Sequence, residues 1–219
     1  MFRPLKKEEK SKSPGSTIGT DWMEIQRVTR YLNVEMVEQA YREGIFPMAD
    51  IELGIVTWHR PRRRAVLPLD AFHISRSLGR TLRRGNFAIT FDRDFPAVMA
   101  ACAERRPAWI SAEFQTVYGE MHAQGKAHSV EAWVDGQLAG GVYGVHLGGA
   151  FFAESKFHRV TDMSKVALAH LVRRLRERGF ALLEVQYLTK HLAQFGVVEV
   201  PHREYMRRLS LALELKCVW

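Results

Sequence analysis

Apolar and polar positions follow two different periods along this chain, and the switch between them predicts its elements. From His128 to Val134 and from Gln137 to Val145 the residues are mostly β-branched, aromatic or small, and Asp135-Gly136 between them is a hairpin turn signal. Two long strands are therefore expected to pair. Gly148-Gly149 then turns the chain into a third strand, Ala150 to Glu154, ending in the charged run Glu154-Ser155-Lys156. This antiparallel meander forms the centre of the predicted fold and delivers Glu154 to an opening. Gly140-Gly141 lies inside the second strand, where glycine marks a bulge or a close approach by backbone or ligand. Without any chemistry, the same pattern is a structural sheet with one charge at its rim.

The helical period accounts for most of the rest. Asn33 caps a helix to Arg42, with Val34, Val37, Ala40 and Tyr41 on one face and Gly44 as its stop. Residues 44–48, Gly-Ile-Phe-Pro-Met, are too short and too punctuated for an element and read as a loop whose Phe46 and Met48 fill or line something. Ile55 to Trp58 and Arg64 to Leu67 read as short strands joined by an arginine turn. A helix from His73 to Arg84 sets Ile74, Leu78 and Leu82 on one face and ends at Gly85. Phe87 to Phe91 is a strand, Asp94 begins a helix through Val98 and Cys102, and Ser111 caps another to about Gln124. Trp109, just ahead of that cap, suits a core plug or a binding plate. Thr161 or Asp162 caps a helix from Met163 to Arg178, closed by Gly179. Phe180 to Tyr187 is a buried strand on which Glu184 and Gln186, two apart, share a face. A short helix from His191, a strand over Val197 to Val200 and a helix opened by Pro201 complete the chain. A carboxylate beside an amide on an apolar strand is costly unless each finds a partner. Either an arginine pairs with Glu184 structurally, or the two residues form a site.

Composition narrows the class. With 219 residues, 47% hydrophobic and 26% charged, the chain can bury a sizeable core. The expected division is a flexible Lys/Ser/Pro-rich tail over 1–20, a small lobe over 21–92 and a larger domain over 93–219. No apolar run approaches the roughly 20 residues of a membrane span, and the N-terminus lacks a secretory signal, so a cytoplasmic location is expected. Cys102 and Cys217 stand far apart with no metal-ligand spacing, so neither a disulfide nor a zinc site is indicated. The net charge of +8 suits a polyanionic partner. Between Arg60 and Arg84 eight arginines (60, 62, 63, 64, 76, 80, 83 and 84) face one acid, Asp70. A solvated helix face usually intersperses both signs, so the imbalance favours contact with an RNA backbone. The order hairpin, strand, helix, strand, helix, strand resembles an α+β acyltransferase core of the GNAT type, in which a mixed sheet splays to admit an acyl donor. No glycine-rich loop follows Glu154 to cradle a pyrophosphate, which argues against coenzyme A.

A more specific resemblance rests on ten motifs in order between residues 31 and 208: GIFPM (44–48), HISRS (73–77), AWIS (108–111), GKAHSVEAW (125–133), LAGGVYGV (138–145), FFAES (151–155), SKVAL (164–168), Glu184-Val185-Gln186, HLAQFG (191–196) and VPHREY (200–205). Together they resemble the bacterial leucyl/phenylalanyl-tRNA-protein transferases. The resemblance implies a GNAT-like catalytic core that moves leucine or phenylalanine, with methionine a further candidate, from aminoacyl-tRNA to the N-terminal amine of proteins beginning with Arg or Lys. The added residue marks the acceptor for degradation. Because the donor ester is already activated, neither ATP, metal nor another cofactor is implied. The partners are aminoacyl-tRNA and the N-terminal region of acceptor proteins, with no membrane, and a monomer is the expectation. The same resemblance assigns Glu184 and Gln186 to preparing the acceptor amine, with the terminal ribose hydroxyl as an alternative. It assigns Glu154 to an amine, Phe151, Val142 and Leu171 to the aminoacyl pocket, Trp109 and Met48 to the terminal adenosine, and Arg76 with Arg80, Arg83 and Arg84 to acceptor-stem phosphates. Three positions depart from the family pattern: Met48 stands where many members have Trp, Glu184 where Asp is usual, and Lys156 where Met is usual. The departures keep open a related transferase with altered donor or acceptor, or a weakly catalytic tRNA-binding module.

Overall fold

The computed structural model describes residues 23–105 and 108–219; the tail expected over 1–20 lies outside them. The described chain begins with β1 (Met23–Thr29), α1 (Val34–Arg42), β2 (Phe46–Asp50) and β3 (Ile55–Pro61), whose strands form an antiparallel sheet in the order β1-β3-β2. In α1 the Asn33 side chain accepts the Met36 N–H at 2.8 Å, and Val34, Val37, Ala40 and Tyr41 are buried as their spacing predicts. Residues 46–50 correct the expected loop. They pair with β3 from Phe46 opposite His59 to Asp50 opposite Ile55, and an edge strand tolerates Pro47 because proline's missing donor faces no neighbour. β1 gave no sequence signal because Glu24 to Val28 are all exposed, so nothing imposes alternation on it.

Arg62 is the step between sheets. The strands expected to flank an arginine turn do not pair with each other: β4 (Arg63–Val66) leaves the small sheet and enters a larger one. There follow α2 (Arg76–Arg84), β5 (Ala88–Phe91), α3 (Phe95–Ala103), α4 (Ala112–Ala123), β6 (Ala127–Val134), β7 (Gln137–Leu147), β8 (Ala150–His158), α5 (Met163–Glu177), β9 (Leu182–Glu184), α6 (Lys190–Ala193), β10 (Val198–Pro201) and α7 (His202–Leu213). Among the described residues the larger sheet has the order β10-β4-β9-β8-β7-β6-β5, so β4 and β5 belong to it although both precede residue 92. It is antiparallel throughout except for the parallel pair β8 and β9. No described helix is long and apolar enough to cross a membrane.

The meander forms as its sequence predicts. Asp135 and Gly136 both take positive φ, 50° and 74°, the geometry of the tight hairpin turn. Gly140 is a true close approach: a Cβ there would lie 2.7 Å from Met163 Cβ, so only glycine lets the start of α5 lie against β7. Successive residues of β8 feed opposite faces. Phe151 packs with Val142, Leu171 and Leu183 on one side, and Phe152 with Tyr41, Phe95 and Tyr143 on the other.

Two irregularities make the site. Tyr143 pairs with Ser155 and Gly144 with Ala153, leaving Glu154 as the extra residue of a bulge. β8 runs on to His158, so Glu154 sits within the strand and not at its end, a correction to the expected rim position. In addition, β8 and β9 pair only from Ala150–Leu182 to Phe152–Glu184. Beyond that point the parallel strands part, and the mixed α+β sheet splays open.

Candidate active site

The gap between the parted strands is a half-open cavity of about 610 Å³, walled by Ala153 to His158 of β8 and Val185 to Tyr187 beyond β9, with Ser164 and Leu168 of α5. The bulge turns Glu154 into it. That carboxyl is only 7% exposed, and its Oε2 accepts a hydrogen bond from Gln186 Nε2 at 3.2 Å across the gap. Its Oε1 makes no hydrogen bond of good geometry among the described residues. Behind it lie the buried Tyr41 and Tyr118, whose hydroxyls bond to each other at 2.8 Å. Burial pushes the Glu154 pKa up to about 8 against the pull of the Tyr41 hydroxyl, with the nearby Glu184 charge adding to the rise. Near neutrality Glu154 therefore exists in both protonation states.

Glu184 occupies a different position from the one its spacing suggests. β9 ends at Glu184, and Gln186 adopts left-handed backbone geometry with φ 63°, so the two do not share a strand face. Instead Glu184 Oε1 accepts the Gln186 backbone N–H at 2.6 Å and faces Arg64 Nε at 3.0 Å, with both charged side chains 0% exposed. Burial raises the Glu184 pKa, opposed by the charge of Arg64 and the Gln186 N–H. Arg64 in turn donates to Gly44 O at 3.2 Å and Tyr205 Oη at 3.4 Å, and stacks over the rings of Phe46 and Tyr205. A buried charge persists only when paired and hydrogen-bonded. Arg64 thus ties the small sheet, α7 and β9 together behind the cavity, and Glu184 is shut off from substrate.

This accounts for three of the eight arginines of the stripe. Arg64 is internal, Arg62 pairs with Glu24 and Arg63 with Glu199. On α2, Arg76, Arg80, Arg83 and Arg84 remain exposed and make no ion pair among the described residues. Of the expected aminoacyl-pocket residues, Val142 lines the cavity, whereas Phe151 and Leu171 are buried beside it and Phe151 stacks on Trp219 at 5.2 Å. Trp109 and Met48 are brought together away from the cavity lining. The Ala49 N–H donates to Trp109 O at 3.2 Å, both side chains pack on the same apolar cluster, and Trp109 meets Phe114 edge to face.

Lys156, singled out in the sequence as a departure from the family pattern, lines the cavity, and burial together with Arg105 brings its pKa down to about 8. Sequence reasoning missed two features. Arg64 was indistinguishable from its exposed neighbours in the arginine run. Asp92, His122 and His128 converge with one nitrogen or oxygen each within 4.8 Å. That cluster is already braced internally: Asp92 accepts from His128 Nδ1 and Ser129 N, both at 2.8 Å, while His128 Nε2 faces Gly125 O. Cys102 also lines the cavity, but burial pushes its thiol up to about 12, which makes it unreactive.

Residues 66–210 match the family described as leucyl/phenylalanyl-tRNA protein transferase, and residues 31–62 match that family's N-terminal domain. The chain belongs to the leucyl/phenylalanyl-tRNA protein transferase family. A leucyl/phenylalanyl-tRNA–protein transferase of Salinibacter ruber is 52% identical over 188 residues, covering 86% of this chain and 83% of the relative. One from Ruegeria pomeroyi is 53% identical over 180 residues, covering 82% and 86%. Among solved structures, a ribosomal-protein-alanine N-acetyltransferase from Brucella melitensis biovar Abortus 2308 is a distant likeness, with TM-score 0.37 and 21% identity over 48% of this chain and 81% of that one. The two transferase-family matches meet between residues 62 and 66, where the chain steps from the small sheet into the large one.

Proposed function

We propose that this enzyme transfers leucine or phenylalanine from aminoacyl-tRNA to the N-terminal amine of proteins beginning with Arg or Lys. The observation that carries the reading is the hydrogen bond from Gln186 to Glu154 at the floor of the cavity, across the splay of the sheet. Family membership supplies the reaction class. The acceptor nitrogen attacks the ester carbonyl; a C–N bond forms, the C–O bond to the ribose breaks, and the ribose oxygen takes up the proton that the amine loses. No further activation is needed, and an α-amine with an ordinary pKa of about 7.7–8.0 is partly neutral at physiological pH.

Each residue has a task that its geometry allows. Ionised Glu154, supported by the Gln186 amide and the Tyr41 hydroxyl, can accept a further hydrogen bond and hold the ammonium of the donor aminoacyl group. With that carboxylate accepting from its NH₂, Gln186, which lines the cavity, keeps a carbonyl oxygen that can accept an N–H of the incoming amine and aim its lone pair. Glu184 serves indirectly by holding the Gln186 backbone. Val142, Leu168 and Val185 give the cavity an apolar wall for a leucine-like side chain, and the exposed arginines of α2 suit acceptor-stem phosphates. In this reading the added residue marks the acceptor for degradation.

The test incubates purified enzyme with a mixture of charged tRNAs and an Arg-initiated peptide, and reads the added residue by mass. Gain of one leucine or phenylalanine is expected, and Gln186→Ala is expected to slow transfer at least tenfold. A peptide of unchanged mass refutes the proposal. A longer half-life of an Arg-initiated reporter in cells lacking the enzyme tests the degradative role.

A further inference from the structure

The cavity carries charge that the transfer chemistry leaves unused. Arg105, Lys156, His158 and His191 all line it, and His191 experiences the positive charge of the other three as well as that of Lys165. His158 and His191 are exposed at its mouth, whereas Lys156 is half-buried on β8, opposite Val142. Among the described residues no carboxylate pairs with Lys156. Glu104, the other acid of the cavity wall, is bonded to Arg159 Nη2 at 3.0 Å. A cation gathered with other cations and held away from water is unfavourable unless a ligand brings an anion.

Lys156 lies two residues beyond Glu154 on β8, and both residues line the same cavity. A phosphodiester is the anionic group that the 3′ end of a tRNA brings within one nucleotide of its aminoacyl ester. We propose that Lys156 seats the 5′ phosphate of the donor's terminal nucleotide, with the basic cluster at the cavity mouth drawing it in. The proposal rests on the transfer reading and adds a group that reads the donor's backbone. It makes Lys156 a determinant of donor binding: the aminoacyl group is located by Glu154 at one end and by its own nucleotide's phosphate at the other.

The experiment compares adenosine 5′-monophosphate with adenosine by calorimetric titration at pH 7 and low salt. The parent enzyme is expected to bind the monophosphate at least tenfold more tightly. In Lys156→Met that ratio falls to within threefold of unity, and Lys156→Arg restores it. The preference also fades in the parent between pH 7 and pH 9, as Lys156, with its pKa near 8, loses its proton. Cys102, pushed up to about 12, stays neutral, His191, lowered by burial, is already neutral, and Lys165 is paired with Asp162. Glu154, raised to about 8, gains a negative charge over the same window. Lys156→Arg separates the two: its guanidinium does not titrate there, so the preference should persist to pH 9, and a fade as large as the parent's counts against the proposal. The phosphate, with its second pKa near 6, is a dianion over most of that range. Equal affinity for the two ligands in the parent, or an undiminished ratio in Lys156→Met, overturns the proposal. A parent that prefers the monophosphate as stated but moves leucine onto no acceptor counts against the transfer reading alone.

Discussion

Replacing Arg64 by Met tests the idea that the enzyme's active geometry is held from behind the cavity. Arg64 and Glu184 are both 0% exposed and 3.0 Å apart. Removing the guanidinium leaves a carboxylate in the core with only the Gln186 N–H for company. Breaking a buried pair from one side costs about 3–5 kcal/mol, a large part of the roughly 5–15 kcal/mol that holds a typical domain together. Urea unfolding at pH 7 should therefore show a clear fall in midpoint for Arg64→Met. The double variant Arg64→Met/Glu184→Met separates stability from function. With both charges gone, apolar packing should recover the loss to within about 1 kcal/mol or exceed the parent. Activity should not recover. Gln186 loses the acceptor for its N–H, worth about 1–3 kcal/mol when buried, and a left-handed backbone itself costs about 1–2 kcal/mol for a residue other than glycine. Its side chain then drifts from Glu154, and leucine transfer should fall at least tenfold in a well-folded protein. A double variant with parental stability that transfers within threefold of the parental rate would refute the argument, as would a single variant as stable as the parent.

Other outcomes follow from the same geometry. Glu154 has its pKa raised to about 8 in the folded chain, above its ordinary value near 4.5, so the fold binds a proton that the unfolded chain releases between those values. Its contribution to stability is present below about pH 4.5 and lost as pH rises to about 8; Glu154→Gln should flatten the decline in unfolding free energy over that window, measured by urea titration at several pH values. Gly144→Ala should lower the urea midpoint and slow transfer, because a Cβ there would lie 2.2 Å from Phe152 O at the bulge that aims Glu154; overpacking of this kind costs about 1–3 kcal/mol. Replacing Arg76, Arg80, Arg83 and Arg84 together by Gln should leave the urea midpoint almost unchanged, since all four are exposed. The same variant should weaken tRNA binding in filter assays and reduce its salt slope by up to about 0.9 for each phosphate that is no longer neutralised.

Much of the local structure was legible because local rules suffice for it. Asn33, Asp94 and Ser111 each accept a helix N–H in the first turn as expected, and Asp135-Gly136 turns the central hairpin; Ser75 and Thr189 cap helices expected to start at His73 and His191, and Asp162 opens its helix without a side-chain cap bond. The ten-motif resemblance also led to the family that the comparisons identify. Errors arose where a strand's fate depends on a neighbour. Residues 46–50 are a strand because β3 offers them an edge. The run Phe180 to Tyr187 looks continuous, yet β9 stops at Glu184 because its partner β8 diverges after Phe152.

The order of secondary elements, the type of chemistry and the apolar, carboxylate and amide groups available for it are set by the residues in their sequence, through propensity, capping and pattern. Tertiary structure alone decided which carboxylate meets the cavity. Spacing put Glu184 beside Gln186, but burial beside Arg64 withdrew Glu184 into a supporting ion pair, while a single-residue bulge turned Glu154 toward the amide from the opposite strand. The reason is physical: a charge's role depends on the distant partner that satisfies it, and a pairing as remote in sequence as that between Arg64 and Glu184 leaves no trace in local periodicity.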